Sequence, residues 1–157
     1  MVGDDRPILE GLLAWQRHTL LSICAGLTGA QLAVRASEPS HLSLLGLVRH
    51  MTKVERIWFR QRVAREPVGP LYEAGRNKDP DFEDLDPARA EQDFERFDHE
   101  CRLADRAVAA IAFQQTCTVG DEVLSLRFVY LHMIAEYSRH NGHGDLLRER
   151  IDGVTGR

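Results

Sequence analysis

Apolar residues recur at helical spacing in four long stretches of the chain, separated by clusters of turn-forming residues. The first stretch runs from Asp5 to about Leu27. Ile8, Leu12, Trp15, Thr19, Ser22 and Leu27 trace its faces, with Asp5 and Pro7 at its start. Gly26 and Gly29 mark its end, and Thr28 with Gln31 reads as a small capping box. Ser40 caps a second helix from His41 to about Arg65, with Leu44, Leu47, Val48, Met51, Val54, Trp58 and Val63 as its stripe. Pro67 stops it. A long connection over 67–85 follows, holding Gly69, Pro70, Gly75, Asn77, Asp79 and Pro80, and is expected to cover one end of the fold.

Asp86-Pro87 opens a third helix that runs to about Ala112, with Phe94, Phe97, Cys101, Leu103, Ala104, Val108 and Ile111 inward. Gln114 to Glu122 is a connection with room for a short extended piece. The last helix starts at Leu124 or Ser125 and ends near Arg150, before Gly153. No stretch keeps up a period-two alternation. The helices must bury their stripes against one another, so the pattern predicts an all-α chain, an antiparallel four-helix bundle in one domain over 1–157. One weak echo links two helices: Ser43-Leu44 followed by His50-Met51 repeats, at the same spacing, as Ser125-Leu126 followed by His132-Met133.

Composition narrows the classes of function. Apolar residues make up 43% and charged residues 28%, with a net charge of −4. No basic stripe stands out, so nothing points to a nucleic-acid partner. No apolar run approaches twenty residues and no secretory core is present, so neither a membrane span nor export is expected. Cys24, Cys101 and Cys117 are widely spaced, with no CxxC pair. Cys24 and Cys101 fall in apolar-periodic segments and read as buried free thiols in a reducing, cytoplasmic compartment.

The chemistry gathers on the last helix, which carries His132, Glu136, His140 and His143. Positions 132, 136 and 140 stack along one face, one turn apart. A carboxylate and an imidazole so placed can share a metal ion, or can form a solvated ion pair. A third ligand must come from elsewhere, and His50 on the second helix is the candidate. Two imidazoles and one carboxylate leave room for water or substrate, as in a catalytic site. Met133, Ile134, Tyr137, Leu146 and Leu147 give this helix apolar surface, and a buried Glu136 needs a partner or a metal. Gly142 and Gly144 interrupt the helical pattern, each at about 1 kcal/mol relative to alanine, which suits either close packing or a functional site.

The segment from Leu131 to Glu149, with its Glu-Tyr-Ser-Arg-His-Asn-Gly-His run, resembles the last-helix motif of the DinB/YfiT-like superfamily. It is closest to the branch of mini-circle-type and mycothiol-dependent proteins. Ser43 to Phe59 resembles the second-helix motif of the same family, and the order of elements agrees over almost the whole chain. The resemblance implies one divalent metal, zinc or nickel, held by His50, Glu136 and His140. Many relatives have histidine at the first last-helix position; Glu136 replaces it here. His132 is kept as an alternative ligand or a group lining the site.

The resemblance also implies a thiol-dependent enzyme, an S-transferase using mycothiol, bacillithiol or glutathione against an electrophile, with the metal activating the thiol. The alternative is a metal- or small-molecule-binding bundle without turnover. A ferritin-like di-iron reading fails, because no second ExxH motif is present. Arg139 and Arg76 are the candidate anchors for the thiol cofactor; Arg49 and Arg148 also flank the motifs. Glu55 and Asp145 are candidate carboxylates for orienting a ligand histidine. Pairing of two copies through exposed helix faces is a further expectation from the family. Histidine ligation predicts release of the metal below about pH 6.

Overall fold

The computed structural model describes residues 3–72 and 79–156. The chain is mostly helical, with four long helical stretches where the apolar spacing predicts them. Helix α1 spans Asp5–Cys24, and a short α2, Gly29–Leu32, follows. The Thr28–Gln31 capping box is present in full: the Thr28 hydroxyl accepts from Gln31 N, and Gln31 reaches back to Thr28 N. Helix α3 spans Leu44–Glu55 and continues as a π-helix over Arg56–Val63. It begins later than the sequence suggests because Ser43, not Ser40, is its cap, accepting from Gly46 N at 3.1 Å.

After the connection come α4, Pro80–Glu83, a 3-10 turn at Pro87–Arg89, and α5, Ala90–Val108. Helix α6, Leu126–Asp152, is capped by the Ser125 hydroxyl and ends at Gly153, whose φ of 80° is left-handed. Both serines of the sequence echo are therefore helix caps.

The expectation of a purely helical chain needs one correction. Thr116–Val119 (β1) and Glu122–Ser125 (β2) form an antiparallel hairpin, with Thr116 opposite Ser125 and Val119 opposite Glu122. Gly120, at φ 59°, makes the tight turn. A four-residue strand is too short to show alternation in sequence.

Helix α1 packs along α6, α3 along α5, and α3 also touches α6. The core holds Leu13, Leu20, Leu44, Leu47, Met51, Phe97, Met133 and Tyr137. Helix α1 turns a different face inward from the one first traced: Leu13, Arg17, Leu20, Ile23 and Cys24 are buried, whereas Trp15 is 60% exposed. The inward face contains a charge, which masks it in any count of apolar positions. Leu146 is likewise exposed, while Leu147 is buried. The two glycines of α6 separate. A Cβ at Gly144 would sit 3.3 Å from Ile23 Cγ2, so this glycine lets α1 approach; Gly142 faces open space.

Arg17 anchors a buried ion network. Its Nε and Nη2 donate to both oxygens of Glu55, at 2.7 and 2.8 Å. The Tyr137 hydroxyl donates to Glu55 Oε1 at 2.8 Å. One carboxylate from α3 thus ties α1 and α6 to it. Among the described residues, no helix is long and apolar enough to cross a membrane.

Candidate metal centre

Two helices bring the candidate ligands together. Glu136 and His140 lie one turn apart on α6, with His140 Nε2 3.6 Å from Glu136 Oε2. His50 comes from the middle of α3, and its ring meets that of His140 edge-on at a centroid distance of 4.8 Å. One ligand atom from each of His50, Glu136 and His140 lies within 4.8 Å of the other two. Bonds of about 2.1 Å in tetrahedral geometry set donors about 3.4 Å apart. All three side chains are half-buried.

The donor chemistry fits a divalent cation. Burial lowers the pKa of His140, and the adjacent His50, His143 and Arg139 add to the effect against the pull of Glu136, leaving it at about 4. The imidazole is therefore neutral at physiological pH and keeps a lone pair to give. A single carboxylate, Glu136, offsets half of a double positive charge.

The outer nitrogen of His50 is engaged by a residue that sequence reasoning missed. Nδ1 lies 2.8 Å from Asp81 Oδ2, and Lys53 Nζ lies 2.6 Å from the same oxygen. Asp81 is fully buried. Burial alone would raise its pKa, but the hydrogen bonds from His50 and Lys53 prevail and bring it down to about 2. An ionised carboxylate only accepts, so Nδ1 carries the proton of this contact and Nε2 is left to face Glu136 and His140. Phe82 packs on the His50 ring at a centroid distance of 5.1 Å.

Arg49 explains how Asp81 gets there. Its Nε donates to Asp81 O at 3.1 Å and its Nη2 to Pro80 O at 3.0 Å. Nη1 faces the Asp93 carboxylate at 3.3 Å, and the guanidinium lies 4.2 Å from the centre of the Tyr72 ring. This buried arginine clips the Pro80–Asp81 main chain onto α3.

Other expectations need correction. Arg49 is consumed by that clip and does not reach out to a ligand. Arg148 donates to Ile23 O and Ala25 O, both at 2.7 Å, and pairs with Asp152, so it closes the C-terminal end of α1. Glu55 belongs to the Arg17 network and Asp145 lies against Gly156, so neither orients a ligand histidine. His132 is engaged by aromatic rings, 4.2 Å from Trp58 and 6.3 Å from Phe128, and stands outside the clustered donors. Arg139 is exposed beside His140; Arg76 lies outside the described residues. His143 Nδ1 is 3.5 Å from His140 Nδ1.

All three cysteines are buried and free, and burial pushes the Cys24 thiol up to about 12 and raises Cys101 as well. Buried thiols of this kind are poor nucleophiles at neutral pH.

No curated protein and no solved structure matches the chain. A family model does. The model described as Mycothiol-S-transferase matches residues 8–153, a span that takes in most of α1, both motif helices and all three clustered donors. The chain belongs to the mycothiol S-transferase family, within the DinB/YfiT-like superfamily.

Proposed function

We propose that this protein is a divalent-metal-dependent thiol S-transferase, built as an antiparallel four-helix bundle and working in the cytoplasm. His50, Glu136 and His140 are its metal ligands, and zinc or nickel is the metal. The observation that carries the reading is the convergence of these three donors within 4.8 Å inside a chain matched over 8–153 by the mycothiol S-transferase family.

When bound, the divalent ion lowers the pKa of an incoming thiol, so that a thiolate is available at neutral pH. The rest is the work of the chain. His50, Glu136 and His140 would hold the ion with three protein donors, one fewer than a closed structural site uses. With a divalent ion held there, neutral His140 and the single carboxylate of Glu136 would leave one positive charge, which would favour an anionic sulfur. Half-burial of the donors keeps the local dielectric below that of water and strengthens this attraction. Arg139, at the rim next to His140, is the anchor for polar or acidic groups of the thiol cofactor, and Arg76 is a second. In the transfer, the thiol loses its proton to solvent and its sulfur electron pair forms a bond to the electrophile. The electrophile expels a leaving group with its bonding pair or, in an addition, its displaced π pair takes up a proton from solvent.

The deeply buried cysteines support a supplied thiol as the nucleophile. The test has two parts. Protein purified without a metal-affinity tag should contain close to one divalent ion per chain by elemental analysis, and a Glu136→Ala, His140→Ala double variant should contain none. Thiol consumption with mycothiol and a model electrophile should then follow metal content. Equal metal in both proteins overturns the ligand set. A metal-loaded protein inactive with mycothiol, bacillithiol and glutathione is a binding bundle rather than a transferase.

A further inference from the structure

We infer that Asp81 is a positioning residue of the metal centre, delivered from the connection after the second long helix. It fixes His50 in the tautomer and orientation that presents Nε2 to the site. This deepens the proposed function and rests on its ligand set.

The geometry is specific. Asp81 sits at the start of α4, whose one turn spans Pro80–Glu83. Its Oδ2 receives two donors from α3: His50 Nδ1 at 2.8 Å and Lys53 Nζ at 2.6 Å. Among the described residues Oδ1 is buried with no hydrogen-bond partner, so the side-chain donors of the carboxylate are these two. A buried carboxylate with an unpaired oxygen is costly, and such a group persists where its position is useful. Metal-bound histidines commonly donate their second N–H to a carboxylate, which fixes the ring and makes the ligating nitrogen more basic. The contact here has that polarity and length.

The placement is also enforced from outside the contact. Arg49 holds Pro80 O and Asp81 O, and is held in turn by Asp93 on α5. Phe82, one residue on, packs against the His50 ring and fills the space beside Gly46, where a Cβ would come within 2.7 Å of Phe82 Cδ1. The segment is therefore clamped on both sides of the carboxylate, and His50 cannot rotate without displacing Phe82 or leaving Asp81. Among the described residues His140 has no such carboxylate partner at Nδ1, which lies 3.5 Å from His143 Nδ1. The two ligand histidines are thus supported unequally, and His50 is the one oriented by charge.

The test uses Asp81→Asn, which keeps the shape of the side chain, and Lys53→Met, which removes the other donor and leaves the His50 contact. Two readouts are needed. In the metal-free wild type, nitrogen-detected NMR of the imidazoles should show His50 protonated on Nδ1. Asp81→Asn should lose that single tautomer, and Lys53→Met should keep it. Zinc affinity, measured by chelator competition, should fall about 10- to 100-fold in Asp81→Asn and less than about 3-fold in Lys53→Met. Circular dichroism confirms that both variants fold. Wild-type affinity in Asp81→Asn, or equal losses in the two variants, would show that Asp81 only ties down the connection. A wild type that binds no zinc overturns the ligand set instead, and the NMR readout still decides whether Asp81 sets the tautomer.

Discussion

Acidifying the metal-free protein should remove about 3 kcal/mol of stability through His140 alone. In the folded state its pKa is about 4, against 6.5 for an ordinary histidine. The cause is burial, reinforced by the neighbouring His50 ring. The unfolded chain accepts a proton at this position well before the folded chain does. Its contribution is therefore intact above pH 6.5 and is lost as the pH falls towards the folded value. A tenfold change in proton affinity is worth about 1.4 kcal/mol, so the gap from 6.5 to about 4 amounts to about 3 kcal/mol. The side chain is only 12% exposed, so solvent screening discounts this little. Urea unfolding of chelator-treated protein measures it, at steps between about pH 7 and about pH 4. The reference is His140→Gln, which fills similar space and does not titrate. His132 is also lowered by burial, but it is common to both proteins and cancels. Asp81, depressed from 3.8 to about 2, withdraws its contribution only below that window. The stability difference between wild type and variant should shift by about 3 kcal/mol across the range. Parallel curves would mean that His140 is not held neutral, and the electrostatic account of the donor set would fail.

Metal release should follow the same shift: because protons compete at His140 only near pH 4, half-release read by a metallochromic dye should fall below about pH 6. Glu55→Gln should cost roughly 3 kcal/mol in urea unfolding, because it leaves the buried Arg17 with only the half-exposed Asp105 carboxylate, 2.9 Å away, as an ionic partner. Gly142→Ala should stabilise the fold by up to about 1 kcal/mol, since the added methyl meets open space inside a helix. Gly29→Ala should destabilise it clearly, because its Cβ would fall 2.1 Å from Pro87 O and neither backbone can yield cheaply; an unchanged melting temperature would refute that contact.

The long helices and the three donors were legible in the sequence because each rests on local periodicity. Helical spacing puts Glu136 and His140 on one face of one helix without any knowledge of the fold. His50 was a candidate from its place on the second helix, and the family resemblance strengthened it, since nothing local says that α3 lies beside that face. Asp81 was not legible. Asp79-Pro80-Asp81 reads as a turn, and its role exists only because Arg49 folds the connection back onto α3. The inward face of α1 was not legible for a related reason: Arg17 is buried by Glu55, a partner 38 positions away, so polarity along the chain does not mark it as inward. The hairpin was reduced to an unspecified extended piece because two strands of four residues carry almost no periodic signal.

The buried ion network and the metal centre are parts of one arrangement. Tyr137 follows Glu136 directly on α6, and its hydroxyl grips Glu55, which lies on α3 beyond His50. Adjacent residues on α6 therefore point to two places on α3: one into the core at Glu55, the other towards the site beside His50. A one-turn slip of α6 along α3 would break the Tyr137 hydrogen bond and leave Glu55 and Arg17 mismatched in the core. Hydrophobic contacts alone would resist such a slip weakly, because Leu and Met side chains repack at modest cost. The charged network makes the register discrete. With the register discrete, the distance between His50 and the Glu136–His140 pair is set by the core.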